Sequence, residues 1–395
     1  MPVSLLKGVK ILDFSTLLPG PYATMMLSDL GAEVLRIESH VRKDDTRTFP
    51  PFVHGVSAAH AHLNRSKMSM SLDLKQPEAV EIVKELVQEY DIILEQFRPG
   101  VMDRLGVGYD ALKAMNPRLI FCSLTGYGQT GPYRYRAGHD NNYLSLSGIM
   151  GYSGRKETGP MPIGTQVADI AGGSLHSIIG ILSAVIYRQQ TGEGQWLDIS
   201  MTDSCFTMNA MLGSGFVATG KYQPERENML LNGGSFYDFY ETSDGRHLSV
   251  GSLEPKFFIA LCEGIGRPDL VKAALDHSEN GIKSLKATFK KIFREKTFAE
   301  WKGIFAQTEA CVEPVLDFAE ACDHPQILAR EMIVGVPDGN GSLQKQIANP
   351  IKSTAFKPVY AHTGSGLGEH TDQILRTMGK SEEEIAFLRE NGTIA

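Results

Sequence analysis

The sequence predicts an α/β protein with a parallel β-sheet, followed along the chain by a smaller α+β part. In the first 200 residues or so, short apolar runs rich in β-branched residues alternate with amphipathic helical segments, as in chains that build a parallel sheet. After about Gly220 this alternation gives way to a β-hairpin pattern and then to basic and aromatic helices. The 395 residues are enough for more than one domain with a sizeable core.

The predicted elements of the first part alternate regularly. A buried strand at residues 9–14 is followed by a break at Pro19-Gly20-Pro21, which opens a helix that ends at Gly31. Residues 42–52 are charged and contain proline, which is typical of an exposed loop. Further strands are predicted at 33–37, 68–74, 91–94, 119–124 and 196–201, and further helices at 77–90, 102–115 and from Asp169 to about 190.

The second part begins with a predicted hairpin whose strands, 236–240 and 247–250, are joined by Ser243-Asp244-Gly245. Glu254-Pro255 then opens a helix, because proline is favoured at the first helical position. More helices are predicted at 282–293 and 298–306, then short strands after residue 325 and a terminal helix at 381–390.

Composition excludes several classes of protein. The formal net charge of −7 argues against a nucleic-acid partner, so an anionic ligand would need a local basic patch. The five cysteines include no CxxC pair, which favours a reducing compartment and argues against disulfides or a thiolate metal site. No GxxxxGK[ST] or dinucleotide fingerprint occurs. The apolar run 178–187 is too short to span a bilayer, and no targeting signal is visible, so we expect a cytoplasmic protein without a membrane partner.

The segment Gly138-His139-Asp140-Asn141-Asn142-Tyr143 is the main candidate for chemistry. It places a histidine, which can titrate near neutral pH, just before a predicted helix that Asp140 would cap. Asp169 and Glu254 are the two carboxylates that we group with His139. Each residue also has a plain structural interpretation: a loop histidine beside a helix cap, an N-cap aspartate, and a carboxylate ahead of a helix that starts with proline.

With these residues in place, the sequence resembles the family III CoA-transferase (CaiB/BaiF) superfamily, and within it the α-methylacyl-CoA racemases. Transferases usually lack the histidine, whereas the aspartate is common to both groups. His139 together with Glu254 therefore favours the racemases. The resemblance covers nearly the whole chain and is carried by segments 19–21, 29–32, 97–101, 125–132, 138–143, 251–255 and by Asp169.

The resemblance implies a Rossmann-like large domain plus a smaller α+β domain, with two chains interlocked as a homodimer that shares its active sites. The corresponding boundaries are a large CoA-binding domain at 1–200, a linker at 201–229 and a small domain at 230–310. A second linker at 311–343 leads to a C-terminal part, 344–395, that returns to the large domain. None of the interlocking follows from the periodicity of the sequence.

By resemblance, the substrate is an acyl-CoA thioester, and no separate cofactor or metal is needed. Racemases often place an arginine where this chain has Ser39-His40, and Arg42 is a candidate replacement. The methionines between positions 201 and 211, together with Met229, are candidates for an acyl pocket, although an ordinary core is their simpler interpretation. The expected contacts of substrate and CoA are Leu72, Asp73, Leu74, Lys75, Gln96, Phe97, Arg98, Arg104, Gly138, Asp140, Asn141, Asn142 and Tyr143.

Racemisation next to a thioester requires two acid/base groups on opposite faces of one carbon. His139 and Asp169 would fill these roles, while Glu254 would hold the second ring nitrogen of His139. The backbone N–H at Asp140 would face the enolate oxygen. Two alternatives stay open at this point: a CoA-transferase with Asp169 as nucleophile, and a CoA-binding protein without catalytic activity.

Overall fold

The computed structural model describes residues 4–273, 276 and 278–395. The strands are β1 (Lys10–Asp13), β2 (Glu33–Glu38), β3 (Phe52–Val53), β4 (Val56–Ser57), β5 (Met68–Ser71), β6 (Ile92–Glu95), β7 (Ile120–Thr125), β8 (Gln195–Ser200), β9 (Asp238–Glu241), β10 (His247–Val250), β11 (Val312–Pro314), β12 (Ile333–Pro337) and β13 (Leu343–Ile347).

The helices of the first half are α1 (Pro19–Asp29), α2 (Ala58–Leu63), α3 (Pro77–Leu86), α4 (Val101–Arg104), α5 (Tyr109–Met115), α6 (Asp140–Leu146), α7 (Ile149–Tyr152) and α8 (His176–Thr191). Those of the second half are α9 (Met201–Thr207), α10 (Ser214–Thr219), α11 (Pro255–Gly264), α12 (Glu279–Phe293), α13 (Phe298–Phe305), α14 (Phe318–Cys322), α15 (Pro325–Ala329), α16 (Thr371–Thr377) and α17 (Glu382–Glu390). Short 3₁₀ helices lie at Asp45–Thr48, Met208–Ala210 and Pro268–Val271, and a π-helix lies at Ala168–Leu175.

Six strands form one sheet in the order β5-β2-β1-β6-β7-β8, and every pairing in it is parallel. Counted along the chain, these strands follow the order 3-2-1-4-5-6, which is that of a Rossmann-type doubly wound sheet. The order reverses between β1 and β6, so a crevice is expected beyond the carboxyl ends of those two strands. The predicted α/β class with a parallel sheet is therefore confirmed.

Helices cover both faces of this sheet, as parallel strands require because both of their faces are apolar. On one face α3 contributes Ala79, Ile82 and Val83 to a core that also contains side chains of α5, α16 and α17. On the other face Leu27 of α1 and Ile181 of α8 pack with the central strands. These two layers fix the positions of the strand ends and of the loops that follow them.

The described residues form two compact units. The first comprises the described residues within 1–147, 163–207 and 326–395, and contains the six-stranded sheet. The second comprises those within 148–162 and 208–325. Compact units need not be independently folding domains, so the domain and linker boundaries predicted from the sequence stay a prediction; residues 1–3, 274, 275 and 277 of that prediction lie outside the described residues.

The second unit has an antiparallel sheet, ordered β11-β10-β9, with helices α11, α12 and α13 packed in one aromatic core. The predicted hairpin is present, with His247 of β10 opposite Glu241 of β9. Phe293 stacks on Tyr240 and also contacts Trp301, with ring centroids 5.1 and 5.3 Å away. An α+β composition is what the sequence predicts for this part of the chain.

One local prediction was wrong. Residues 102–115 do not form one helix, since Gly106 lies between α4 and α5 with a positive φ of 80°. Residues 42–52 are mostly exposed, as predicted, but Asp44 is buried and its carboxylate accepts hydrogen bonds from the N–H of Thr46 and from Arg36. A buried ion pair, which periodicity cannot reveal, therefore anchors this loop.

Within the described residues, one helical run is long and apolar enough to cross a membrane by length and composition, the 24 residues Ala168–Thr191. It is longer than the apolar run 178–187 because it includes the π-helix. Ile181 and Ala184 of this run are buried in the sheet core, as in the helices of soluble α/β proteins. The predicted cytoplasmic location stays a prediction.

Candidate active site

A cavity of about 570 Å³ lies beyond the carboxyl ends of the central strands of the large sheet. Leu17 follows β1, Phe97 follows β6 and Tyr127 follows β7, and all three line it. The cavity therefore lies where a doubly wound sheet is expected to bind its ligand. His139 and Asp169 both line it as well.

The loop after β1 is held in an unusual backbone conformation at the edge of this cavity. Leu17 has a φ of 61°, which is uncommon for a residue with a side chain. Its N–H donates to the carboxylate of Asp44, at 3.3 Å from each oxygen. The amide of Gln96 joins this loop to the next strand, since its oxygen accepts from the N–H of Gly20 and its nitrogen donates to the carbonyl of Thr16, both at 3.1 Å.

His139 is the N-cap residue of α6, with an extended backbone, and its side chain is exposed to the cavity. The prediction that Asp140 would cap this helix was wrong, because Asp140 is its first helical residue. Asn142 fixes the entry of the chain: its side-chain oxygen accepts from the N–H of His139 at 3.0 Å. This hydrogen bond therefore fixes the backbone that carries the imidazole at the start of α6.

The position immediately before the histidine requires glycine, because there is no space for a side chain. A Cβ at Gly138 would lie 2.7 Å from the hydroxyl oxygen of Tyr127 and 2.7 Å from the ring of Tyr143. Those two rings pack edge to face, with centroids 5.2 Å apart. The hydroxyl of Tyr143 donates to the carbonyl of Gly138, so the same tyrosine supports the segment from below.

Asp169 is the second residue of the π-helix. Its predicted alternative role as a plain N-cap is therefore wrong. The wide helical turn is supported by two polar side chains five residues on: the hydroxyl of Ser174 donates to the carbonyl of Asp169 at 3.1 Å, and Nδ1 of His176 lies 2.8 Å from the carbonyl of Ala171. Helical turns of this kind often occur at functional sites.

The carboxylate of Asp140 contacts the backbone of the π-helix at Asp169. Its Oδ1 accepts from the N–H of Ala168 at 2.6 Å and from the N–H of Asp169 at 3.1 Å. Burial and, to a smaller extent, the charge of Asp140 raise the pKa of Asp169 and His139 lowers it, with a net value of about 6. Asp169 thus combines a fixed backbone with a carboxyl group that can change its protonation state near neutral pH.

Four guanidinium groups surround the cavity, those of Arg42, Arg98, Arg134 and Arg136. None of the four forms a salt bridge within the described part of the chain. Arg134 and Arg136 lie over the rings of Tyr135 and Tyr133, at 4.5 and 4.3 Å from the centroids. Unpaired arginines around one cavity form a site for anions such as phosphate groups, in a chain whose net charge is negative.

The structure brings together part of the predicted set. The predicted or candidate residues that line the cavity are Arg42, Gln96, Phe97, Arg98, Gly138, His139, Asn142, Tyr143, Asp169 and Met201. Leu72 is instead 1% exposed in the sheet core, and Leu74 packs against that core. Asp73 accepts from the N–H of Lys75, and Lys75 and Arg104 are exposed outside the cavity lining. Asn141 is exposed and does not line the cavity.

Glu254 belongs to the second compact unit and is described within it. It is the N-cap residue of α11 and precedes Pro255, as the sequence predicts, and its exposed side chain makes no capping hydrogen bond. No side-chain capping bond thus ties its carboxylate to α11. Its contact with His139 stays a prediction.

Sequence reasoning missed several residues of this site. Arg134 and Arg136 lie only a few residues before His139, and an alternation of arginine and tyrosine was the available signal. Met201, by contrast, was among the methionines considered for an acyl pocket; it is 5% exposed and lines the cavity. Within residues 4–273, 276 and 278–395 no group of three or more His, Cys, Asp or Glu side chains is arranged to hold a metal ion.

The arrangement supplies two proton-transfer groups and a set of cations on one cavity. The two groups are the imidazole of His139 and the carboxyl of Asp169, and the carboxyl, with a pKa of about 6, can take or give a proton near neutral pH. The arginines can hold a polyanion beside them. Such a site suits a substrate that has an anionic carrier and a weakly acidic reacting group.

Comparisons with known proteins agree with this geometry. The profile of the family described as CoA-transferase family III matches residues 6–371. Human α-methylacyl-CoA racemase is 35% identical over 390 residues, which cover 98% of this chain and 97% of that protein. Human succinyl-CoA:glutarate CoA-transferase is 31% identical over 395 residues, which cover 98% of this chain and 90% of that protein.

The fold has solved counterparts. A CaiB/BaiF family protein from Brucella suis superposes with a TM-score of 0.82 at 30% sequence identity. The superposition covers 95% of this chain and 99% of that protein. Racemase and transferase relatives are thus both similar to this chain along nearly its whole length.

Proposed function

The chain belongs to the CoA-transferase family III, and on that premise we propose that it is a cofactor-independent racemase of 2-methylacyl-CoA thioesters. In this reaction a base removes the proton at C2, the negative charge moves to the thioester oxygen, and an acid returns a proton to the opposite face. The carbon changes configuration while its oxidation state stays the same, so proton transfer alone is sufficient.

The observation that carries this proposal is that His139 and Asp169 line one cavity. A racemase needs two acid/base groups, since a single base would return the proton to the face from which it came. A transferase needs the carboxylate but has no use for a histidine beside it. A pKa of about 6 for Asp169 suits both halves of the cycle, because this carboxyl must be a base for one epimer and an acid for the other.

The four arginines of the cavity and the segment Gln96–Arg98 are the proposed CoA-binding elements. CoA carries a diphosphate and a 3′-phosphate, and guanidinium groups bind phosphates through paired N–H donors. Leu72, Asp73, Leu74, Lys75 and Arg104 remain proposed contacts of the end of CoA that extends beyond the cavity. The backbone N–H of Asp140, and those of Asn141 and its neighbours, are proposed to face the thioester oxygen.

Glu254 is proposed to accept a hydrogen bond from the second ring nitrogen of His139. A carboxylate at that position fixes the tautomer of the imidazole and stabilises its protonated form, as in other enzymes that pair these two groups. Its freedom from a local capping bond supports this role, because the carboxylate is available for a partner.

Activity with a single substrate tests the proposal. The purified chain is incubated with one epimer of a 2-methylacyl-CoA and no acceptor acid, and the two epimers are separated by chromatography. A racemase produces the second epimer until the two are near equal amounts. Absence of the second epimer, with CoA transfer appearing only after a free carboxylic acid is added, would contradict the proposal.

The second candidate is a CoA-transferase in which Asp169 is the nucleophile. The similarity to succinyl-CoA:glutarate CoA-transferase favours it, because that protein matches 98% of this chain. In that reaction the carboxylate attacks the thioester, CoA leaves, and an enzyme anhydride forms. Trapping Asp169 with hydroxylamine in the presence of acyl-CoA would favour this candidate over the racemase.

We further propose that the chain is a homodimer. Three large apolar side chains of α8 are exposed, those of Ile179, Ile186 and Tyr187, at 60, 56 and 44%. Exposed apolar residues in such number on one helix are typical of an interface. Sedimentation of the wild type and of Ile179→Glu should give a dimer and a monomer respectively, and a monomeric wild type would contradict the proposal.

A further inference from the structure

Glu95 is a buried carboxyl directly next to the proposed CoA-binding segment. It ends β6, its exposure is 4%, and Gln96, Phe97 and Arg98 follow it. It lines a second cavity of about 220 Å³, which shares Arg98 with the larger one. Nothing in the proposed reaction uses this carboxyl.

The carboxyl group connects the sheet to this segment. Glu95 Oε2 accepts from the backbone N–H of Phe97 at 2.8 Å, which closes a tight turn just after the strand. Glu95 is also hydrogen-bonded to the hydroxyl of Ser123 on β7, and that hydroxyl accepts from Nε1 of Trp196 on β8 at 3.0 Å. The indole in turn stacks on Tyr109, with centroids 6.0 Å apart. Glu95 is thus the last member of a chain of contacts that links four elements, β6, β7, β8 and α5.

The charges around Glu95 are mostly negative. Asp103 of α4 and Asp110 of α5 line the same cavity, and Asp198 of β8 also acts on this carboxyl, whereas Arg98 is the cation of the lining. The pKa of Glu95 is raised to about 7, chiefly by burial and also by the charges of Asp103 and Asp198, while the bonds from Ser123 and Phe97 oppose the rise. The group therefore exchanges its proton near neutral pH.

We propose that Glu95 is a positioning residue for CoA: its carboxylate holds the N–H of Phe97 and thereby sets the segment that presents Phe97 and Arg98 to the CoA cavity. The inference rests on the proposed use of that cavity for CoA. An ionised carboxylate accepts a stronger hydrogen bond than a neutral acid does. CoA affinity therefore falls as Glu95 takes up its proton, and proton transfer at the thioester is left almost unchanged.

Calorimetric titration of the full chain with CoA between pH 6 and 8 tests this proposal, with Glu95→Gln and Glu95→Ala as variants. The 3′-phosphate of CoA also titrates near pH 6, so the quantity compared at each pH is the ratio of the two dissociation constants, variant over wild type. Asp110→Asn is the matched control, since Asp110 lines the same cavity without bonding Phe97. Turnover of each protein is measured alongside.

We expect Glu95→Ala to weaken CoA binding about tenfold at pH 8 while kcat changes less than about twofold. Glu95→Gln, whose amide oxygen still accepts from Phe97, should restore part of the affinity at pH 8. Its ratio to the wild type should fall from about fivefold at pH 8 to near one at pH 6. Asp110→Asn should bind CoA like the wild type.

Equal affinity of wild type and Glu95→Ala would overturn the positioning role, as would a Glu95→Gln ratio that stays constant with pH. If the alanine variant fails to fold, the pH dependence of the glutamine ratio still decides. A wild type that binds no CoA at any pH overturns the proposed function itself, which is a different result from loss of the positioning effect alone.

Discussion

The carboxylate of Asp140 accepts a hydrogen bond from the backbone N–H of Asp169, with 3.1 Å between the two atoms. One residue therefore joins the histidine segment to the π-helix, because Asp140 follows His139 directly in the chain. The same carboxylate raises the pKa of Asp169 through its charge. Asp140 therefore influences both the backbone position and the pKa of Asp169, the proposed base.

Asp140→Asn should shift the acid side of the pH profile of kcat/KM to lower pH. The amide oxygen can still accept from both N–H groups, but the negative charge is gone, so the pKa of Asp169 falls from about 6 toward its ordinary value. Asp169 then stays ionised at lower pH. Initial rates of racemisation between pH 4.5 and 8 measure the shift, and Glu193→Gln, an exposed carboxylate elsewhere, is the control. An unchanged acid limb would disprove the electrostatic link.

Gly138→Ala should lower kcat by at least about tenfold with a smaller effect on CoA affinity. The added Cβ would lie 2.7 Å from Tyr127 and from Tyr143, so the segment that carries His139 has to move. Gly164→Ala is the matched control, because a Cβ at that position meets nothing within 4 Å. An equal kcat in Gly138→Ala and Gly164→Ala would contradict this expectation, because the rings of Tyr127 and Tyr143 would then move aside while the imidazole of His139 keeps its position.

Glu254→Gln should lower turnover while leaving CoA affinity nearly intact, since its proposed work is to orient His139. The amide preserves size and hydrogen-bonding reach but not the charge that stabilises an imidazolium. Steady-state kinetics and CoA titration separate the two effects. Weakened CoA binding with unchanged kcat would remove Glu254 from the catalytic set.

Glu95→Gln should stabilise the fold more at pH 8 than at pH 5. The pKa of Glu95 is raised from 4.5 to about 7, so its favourable contribution to stability is complete below about pH 4.5 and is lost as the pH rises through 7. Replacing it by a neutral amide removes that loss, which is roughly 1–3 kcal/mol for a shift of this size. Denaturant unfolding of wild type and variant at both pH values measures the difference in the free energy of unfolding. The same gain in stability at pH 5 and pH 8 would contradict the raised pKa of Glu95.

The sheet could be predicted from the sequence because its strands are buried on both faces. Runs such as Ile92–Glu95 therefore consist of apolar residues that periodicity detects. The features that could not be predicted depend on local backbone geometry, as in the break between two helices at Gly106, or on a buried ion pair, as at Asp44. Neither leaves a periodic signal.

The candidate site could be predicted only in part. His139 and Asp169 are 30 residues apart, and the resemblance to a known family, rather than spacing, grouped them. The bond from Asp169 to Asp140 and the arginines at 134 and 136 became visible only in three dimensions. Leu72, a residue from the resembled CoA-binding set, is buried in the core, which the sequence did not show, and its contact with CoA stays a prediction.

Incorporation of solvent deuterium at C2 tests the central claim most directly. One epimer of a 2-methylacyl-CoA is incubated in D₂O with the wild type, His139→Ala and Asp169→Ala, and both epimers are analysed by mass spectrometry and NMR. We expect the wild type to label both epimers at C2 as the mixture approaches equilibrium. Each variant should lose inversion, because one face then lacks its acid/base group. An unlabelled C2 in the wild type, with activity lost only in Asp169→Ala and an Asp169 adduct trapped by hydroxylamine, would contradict the racemase account.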